Sequence, residues 1–168
     1  MRIVLATPLY PPDIADPAPY TYELARRLAK SHEVTVVTYG RLPEELPGVT
    51  VRTVDKRLPS NRRAWHFYNV LREVLPTADI LYIQSGISAE LPALFVQHAA
   101  RVFWRKSAEP KRQSLLRKAV EFLTKRRATI ILADDALTKP EILPLEKRPD
   151  TKLEAWEKAW QNECVRFL

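Results

Sequence analysis

Apolar residues along this chain gather into short β-branched runs separated by longer amphipathic stretches. Arg2 to Ala6 opens the series as a strand, with Ile3-Val4-Leu5-Ala6 as its apolar run. Tyr20, Leu24 and Leu28 then recur every four residues between Tyr20 and Lys30, the spacing of one helical face. Val34 to Tyr39, closed by Gly40, has the composition of a buried parallel strand. Residues 41–48 hold two prolines and two glutamates and read as a loop. Val49 to Val54 alternates apolar with polar, as a more exposed strand does.

The same two patterns continue through the second half. Ser60 or Asn61 can cap a helix from Arg62 to Leu75, stopped by Pro76. Its core stripe reads Trp65, Tyr68, Leu71 (or Arg72) and Leu75, with His66 off the stripe. Asp79 to Ile83 is a further buried strand, ending at Gln84-Ser85-Gly86. Ser88 is placed to cap a helix through Ala100, with Pro92 in its first turn. His98 falls near that helix's C-terminal end, where the backbone dipole favours a charged imidazole. Arg101 to Glu109 reads as a strand and its tip, and Arg112 to Arg127 as a helix. That helix carries Leu115, Leu116, Val120 (or Ala119) and Leu123 on one face, opposite a basic face. Ala128 to Ala133 is the last strand, with Asp134 capping a short helix around Ala136 to Lys139.

Alternating strands and helices predict an α/β chain, a Rossmann-like three-layer sandwich with a mainly parallel sheet. The expected organisation is one domain over residues 1–138, a proline-rich connector over 139–150 and a docking helix over 151–168. Thr151-Lys152-Leu153-Glu154 is a capping box, and Leu153, Trp156, Trp160, Cys164 (or Glu163) and Phe167 form the last stripe. Two tryptophans a turn apart imply docking against the body or a partner. In parallel sheets ligands sit at the C-terminal ends of strands, so the turn after the first strand is the first place to look for function.

Composition narrows the chemistry. In 168 residues there are three glycines and fourteen prolines, so few loops can bring backbone N–H groups close to a phosphate. Cys164 is alone, and no Cys/His spacing marks a zinc site; neither metal nor cofactor is expected. No apolar run approaches a membrane span, and the N-terminus lacks the layout of a signal peptide, so a cytoplasmic location is expected. The net charge of +7 favours acidic partners, but no motif interleaves it with exposed aromatics, so nucleic acid is not among them.

The segment Ala6-Thr7-Pro8-Leu9-Tyr10-Pro11-Pro12-Asp13-Ile14, followed by Pro17-Ala18 and Tyr20, resembles the N-terminus of GT4-type glycosyltransferases of the GT-B fold. Where that family reads Pro-Pro-Asp-x-Gly-Gly, this chain has Ala15 and Asp16 in place of the glycines. The resemblance covers about residues 1–138 and implies the acceptor-side half of such an enzyme. It places Asp13, Ala15, Asp16, Tyr20, Gln84 and Ser85 along a substrate cleft. Glu109 would stand where relatives have a strand-tip aspartate, as general base on an acceptor hydroxyl. The basic helix, with Lys111, Arg112, Arg117 and Lys118, would face an anionic membrane, giving peripheral attachment. The tail is similar to the last helix of GT-B enzymes, which crosses back onto the N-terminal half.

Nothing here resembles the family's donor-site motif of two glutamates seven residues apart, so the nucleotide-sugar half is expected to be absent. The implied protein is inactive alone and needs a donor-domain partner. The alternative is a non-catalytic Rossmann-like binding or assembly module, degenerate or engineered, capped by its own tail or by a second copy as a homodimer.

Overall fold

A parallel strand buried on both faces can be nearly all apolar, and the central strands of this chain are. The computed structural model describes residues 1–15, 17–106, 114–132 and 150–166. Its strands are β1 (Arg2–Ala6), β2 (Glu33–Tyr39), β3 (Val49–Val54), β4 (Ile80–Gln84), β5 (Arg101–Lys106) and β6 (Thr129–Leu132). Five α-helices join or follow them among the described residues: α1 (Ala18–Leu28), α2 (Ser60–Val74), α3 (Ile87–Phe95), α4 (Leu115–Arg127) and α5 (Asp150–Val165). All strand pairs are parallel, in the order β3-β2-β1-β4-β5-β6, the doubly wound Rossmann order. Val4 lies between Thr35 and Leu81 in the ladder, so β1 is the centre of the sheet.

Successive side chains point to opposite faces, and each face has its own core. Ile3, Leu5, Val36, Tyr82 and Phe103 meet Leu24 of α1 and Trp160 of α5. Val4, Ala6, Leu81 and Trp104 meet Phe67 and Leu71 of α2 and Ala93 of α3. On the second face α4 lies beside α3. Residues 40–48, between β2 and β3, contain no helix, so on the first face α1 and α5 are the only helices among the described residues.

The expected strands are present, with β1 and β3 bounded where the apolar pattern bounds them. Four helical expectations need correction. α1 starts at Ala18, before Tyr20, because Pro19 sits in its first turn, where a missing N–H costs nothing. The residue before α2 is Pro59, which makes no side-chain cap, while Asn61 lies inside the helix and accepts from the Arg62 N–H at 2.8 Å. Its buried residues are Phe67 and Leu71, while Trp65 is 61% exposed and stacks on Tyr68 at 5.5 Å between ring centres. The phase is set by Phe67, which stacks on Tyr39 of β2 at 4.6 Å.

α3 is preceded by Gly86, Ser88 lies inside it, and it ends at Phe95, where Val96 turns to extended backbone. Pro92 is well inside the helix and cannot donate to the Ser88 carbonyl four residues back. The Tyr39 hydroxyl donates to that carbonyl instead, at 2.7 Å. His98 lies beyond the helix, and burial, with the nearby Arg127 charge, pushes its imidazole below the usual range. The dipole argument for a charged His98 therefore does not apply.

α4 is capped by Ser114, whose side chain accepts from the Arg117 N–H at 3.2 Å. Its inward stripe is Arg117, Val120, Glu121 and Thr124, not the leucines. Leu115 (86% exposed), Leu116, Phe122 and Leu123 face outward. Polar anchors set this rotation: Lys106 at the end of β5 pairs with Glu121 at 3.0 Å, and Arg117 reaches Glu90 of α3 at 3.3 Å. The Asp134-Asp135 tip, the short helix near Ala136 and the connector over 139–149 lie outside the described residues.

α5 rests on α1. Trp160 is 1% exposed against Tyr20, with ring centres 5.1 Å apart. Arg27 makes two 2.7 Å bonds to the Glu157 carboxylate and lies over the Trp156 and Trp160 rings. Of the two alternatives for the stripe's fourth position, Glu163 is the buried one and Cys164 the half-buried one. Among the described residues no helix is long and apolar enough to cross a membrane.

The phase of α2 is open to a direct check by urea unfolding. Phe67→Ala should cost about 3–5 kcal/mol. Trp65→Ala should change stability by less than about 1 kcal/mol, because its indole is mostly in solvent.

Candidate functional site

In the order β3-β2-β1-β4-β5-β6 the strand connections reverse between β1 and β4, and a crevice is expected there at the strands' C-terminal ends. In this chain the turns after β1 and β4 pack closely together there. A Cβ on Gly86, just after β4, would stand 2.9 Å from Pro8 Cγ, just after β1, so only glycine lets the two turns meet. The chain's glycines are Gly40, Gly48 and Gly86, so the turn from β1 to α1 contains none and has no glycine-built phosphate cradle.

The open space lies to one side, over the ends of β1, β2 and β3. A cavity of about 490 Å³ is lined by Tyr10 to Asp13 from the first turn, Thr38 to Pro43 from the end of β2, and Lys56 after β3. The turn is shaped by Thr7, whose hydroxyl donates to the Leu9 carbonyl at 2.8 Å, and by the Asp13 N–H bonded to Tyr10 O at 3.1 Å. The Glu44 N–H donates to Pro11 O at 3.0 Å and ties the loop after β2 to this turn. Asp13 and Lys56 form an ion pair at the cavity. Tyr10 and Thr38, which both line it, have buried hydroxyls with no hydrogen-bond partner. Burial raises the Tyr10 and Tyr39 phenols above their usual range, so both stay neutral hydroxyls at any ordinary pH.

The candidate residues named from the sequence are not gathered in one place. Asp13 is in the cavity wall, while Ala15 lies on the exposed turn beyond it. Tyr20 is buried beneath α5 and donates its hydroxyl to Glu163 at 2.6 Å, so it faces the tail helix instead of a cleft. Gln84 is also buried and accepts from the Tyr82 hydroxyl at 2.9 Å. Ser85 accepts from Arg117 at 2.9 Å, which turns the Arg117 guanidinium toward the β4 tip. Lys118 is exposed. Asp16, Glu109, Lys111 and Arg112 lie outside the described residues.

Sequence reasoning missed Glu90. This carboxylate is fully buried at the start of α3, and one oxygen accepts from the Gly86 N–H at 2.8 Å and the Trp104 indole at 3.1 Å. The same oxygen pairs with Arg117 at 3.3 Å, so a single side chain joins the β4 tip, β5, α3 and α4. A lone acid inside the apolar stretch Ala89-Glu90-Leu91-Pro92-Ala93 was the available signal. Lys56 was missed because its partner Asp13 is distant in sequence. Among the described residues, no group of three or more His, Cys, Asp or Glu side chains could hold a metal ion.

No protein-family model matches the chain, and no curated protein does. Among solved structures it is similar to the C-terminal domain of the coenzyme A biosynthesis bifunctional protein CoaBC. The identity is 12% over 95% of this chain and 94% of that one, with a TM-score of 0.49. The Rossmann-like assignment rests on strand order and parallel pairing.

The junction at Glu90 gives a stability prediction. Glu90→Ala strands the Trp104 and Gly86 donors and the Arg117 charge, and should cost about 3 kcal/mol in urea unfolding. Glu90→Gln keeps an acceptor oxygen and should cost distinctly less.

Proposed function

We propose that this chain is a ligand-binding Rossmann-like module: the acceptor-side half of a glycosyl-transfer enzyme, which binds a hydroxyl-rich small molecule and transfers nothing unaided. The observation that carries this reading is the cavity at the ends of β1, β2 and β3. Its wall is formed by the same turn, Tyr10 to Asp13, that carries the resemblance to GT4 enzymes. It combines apolar surface from prolines and tyrosines with a charge pair, a mixture suited to a sugar or polyol. Asp13 supplies acceptor oxygens and Lys56 donors, so vicinal hydroxyls can bridge the pair. Among the described residues, Asp13 is the only carboxylate in that wall. Transfer also needs a donor held against the acceptor with water excluded, which an open cavity on one half does not provide. A donor half supplied by a separate chain would complete the site.

Saturation-transfer difference NMR with methyl glucoside, methyl mannoside and myo-inositol tests the binding claim. At least one probe should be contacted, with affinity falling about tenfold in Asp13→Ala. Contact with none of them, or full binding by Asp13→Ala, would refute it. The chain alone should release no nucleoside diphosphate from UDP- or GDP-sugars.

A second reading is favoured by α4. Leu115, Leu116, Phe122 and Leu123 are exposed on a helix that also exposes Lys118, Lys125 and Arg126. This combination suits an anionic lipid surface, with apolar side chains entering the headgroup boundary and cations beside phosphates. Sedimentation with phosphatidylglycerol vesicles at low salt should pull the protein down, with neutral vesicles and high salt abolishing it. Unchanged pelleting of Phe122→Glu would exclude α4 as the contact.

A further inference from the structure

The first face of the sheet holds a cation that the proposed cavity does not use. Arg105 is on β5, paired in the ladder with Gln84 of β4, and its side chain is fully buried. Its Nε and both terminal nitrogens have no hydrogen-bond partner. The guanidinium carbon lies 3.7 Å from the centre of the Tyr20 ring, and that stacking is its visible compensation. A guanidinium offers five N–H donors in a planar fork that fits a phosphate or carboxylate. Burying such a group without an oxygen partner is strongly unfavourable.

The nearby acid is otherwise engaged. Glu163 of α5 accepts from the Tyr20 hydroxyl at 2.6 Å and from Arg166 at 3.0 Å, and makes no hydrogen bond to Arg105. Both Glu163 and Trp160 belong to α5, which contributes no strand, so its departure leaves every ladder bond in place. Tyr20 links the two, stacking on Arg105 and bonding to Glu163, and α5 is a helix of this face that can move while the sheet stays intact.

We propose that Arg105 is the receptor for the phosphate or carboxylate group of a small-molecule ligand, with α5 as its cover. The incoming anion takes the place of the Glu163 carboxylate at the Tyr20 hydroxyl and satisfies the guanidinium that Glu163 leaves unpaired. This site lies at the ends of β4 and β5 and is separate from the β1–β3 cavity, so either can fail without the other.

Isothermal titration of the full chain with inorganic phosphate, pyrophosphate and citrate, at ionic strength held constant with sodium chloride, tests it. One saturable site is expected; preference for the phosphates or for citrate identifies the anion class. Arg105→Leu should weaken binding about tenfold or more, and Arg105→Lys less than that. Glu163→Gln, which removes the competing charge, should strengthen it several-fold. Absence of saturable binding, or binding unchanged in Arg105→Leu, would overturn the proposal and assign any uptake to the basic surface. Should Arg105→Leu fail to fold, the decision falls to Glu163→Gln: an unchanged affinity overturns the proposal as well.

Discussion

A parallel sheet must be covered on both faces, and in this chain one of those covers comes from the far end of the polypeptide. The crossing from β2 to β3 has no helix, so α1 alone, laid over the centre of the sheet, cannot shield Tyr82 and Phe103 on the first face. α5 supplies the missing layer through Trp160, held by the Arg27–Glu157 pair and the Tyr20–Glu163 bond. The tail is thus a structural layer of the sandwich. It also holds the Tyr20 hydroxyl, and the buried Arg105 guanidinium stacks on the same ring.

Strand positions were legible in the sequence because parallel strands are marked by continuous β-branched runs. Val34 to Tyr39 and Val49 to Val54 show this, and the alternation in the second also announced its place at the sheet edge. Helix existence was equally legible; helix rotation was not. In α2 the spacing pointed to a stripe through Trp65, whereas a ring contact with Tyr39, remote in sequence, selects Phe67. In α4 the leucines pointed one way, while Lys106 and Glu90 hold Arg117 and Glu121 inward. Charged groups that pair across long stretches of sequence leave no periodic trace, and they decide the orientation of a short helix once its ends are fixed.

The candidate site shows the same division. The first turn is recognisable by its residues, and it does wall a cavity, but Lys56 opposite Asp13 has no signal of its own. Tyr20 sits in the resembling segment, yet its hydroxyl is committed to the tail helix. Pro8 packs against Gly86 where the fold's crevice is expected, and the cavity lies to one side, at the ends of β1, β2 and β3. The motif therefore marks the location of a site, while its chemistry depends on side chains brought in by β2 and β3.

Cys164, the single cysteine, reports most directly on whether α5 is the layer described here. It packs half-buried at the edge of the first-face core, where burial raises its thiol above the usual range. Because the thiolate is the reactive form, both access and ionisation should protect it. The decisive measurement is the rate at which an aromatic disulfide reagent labels Cys164 in the native chain, compared with the same chain in denaturant. Labelling many times slower in the native protein is the predicted result; equal rates would show that α5 does not cover the sheet.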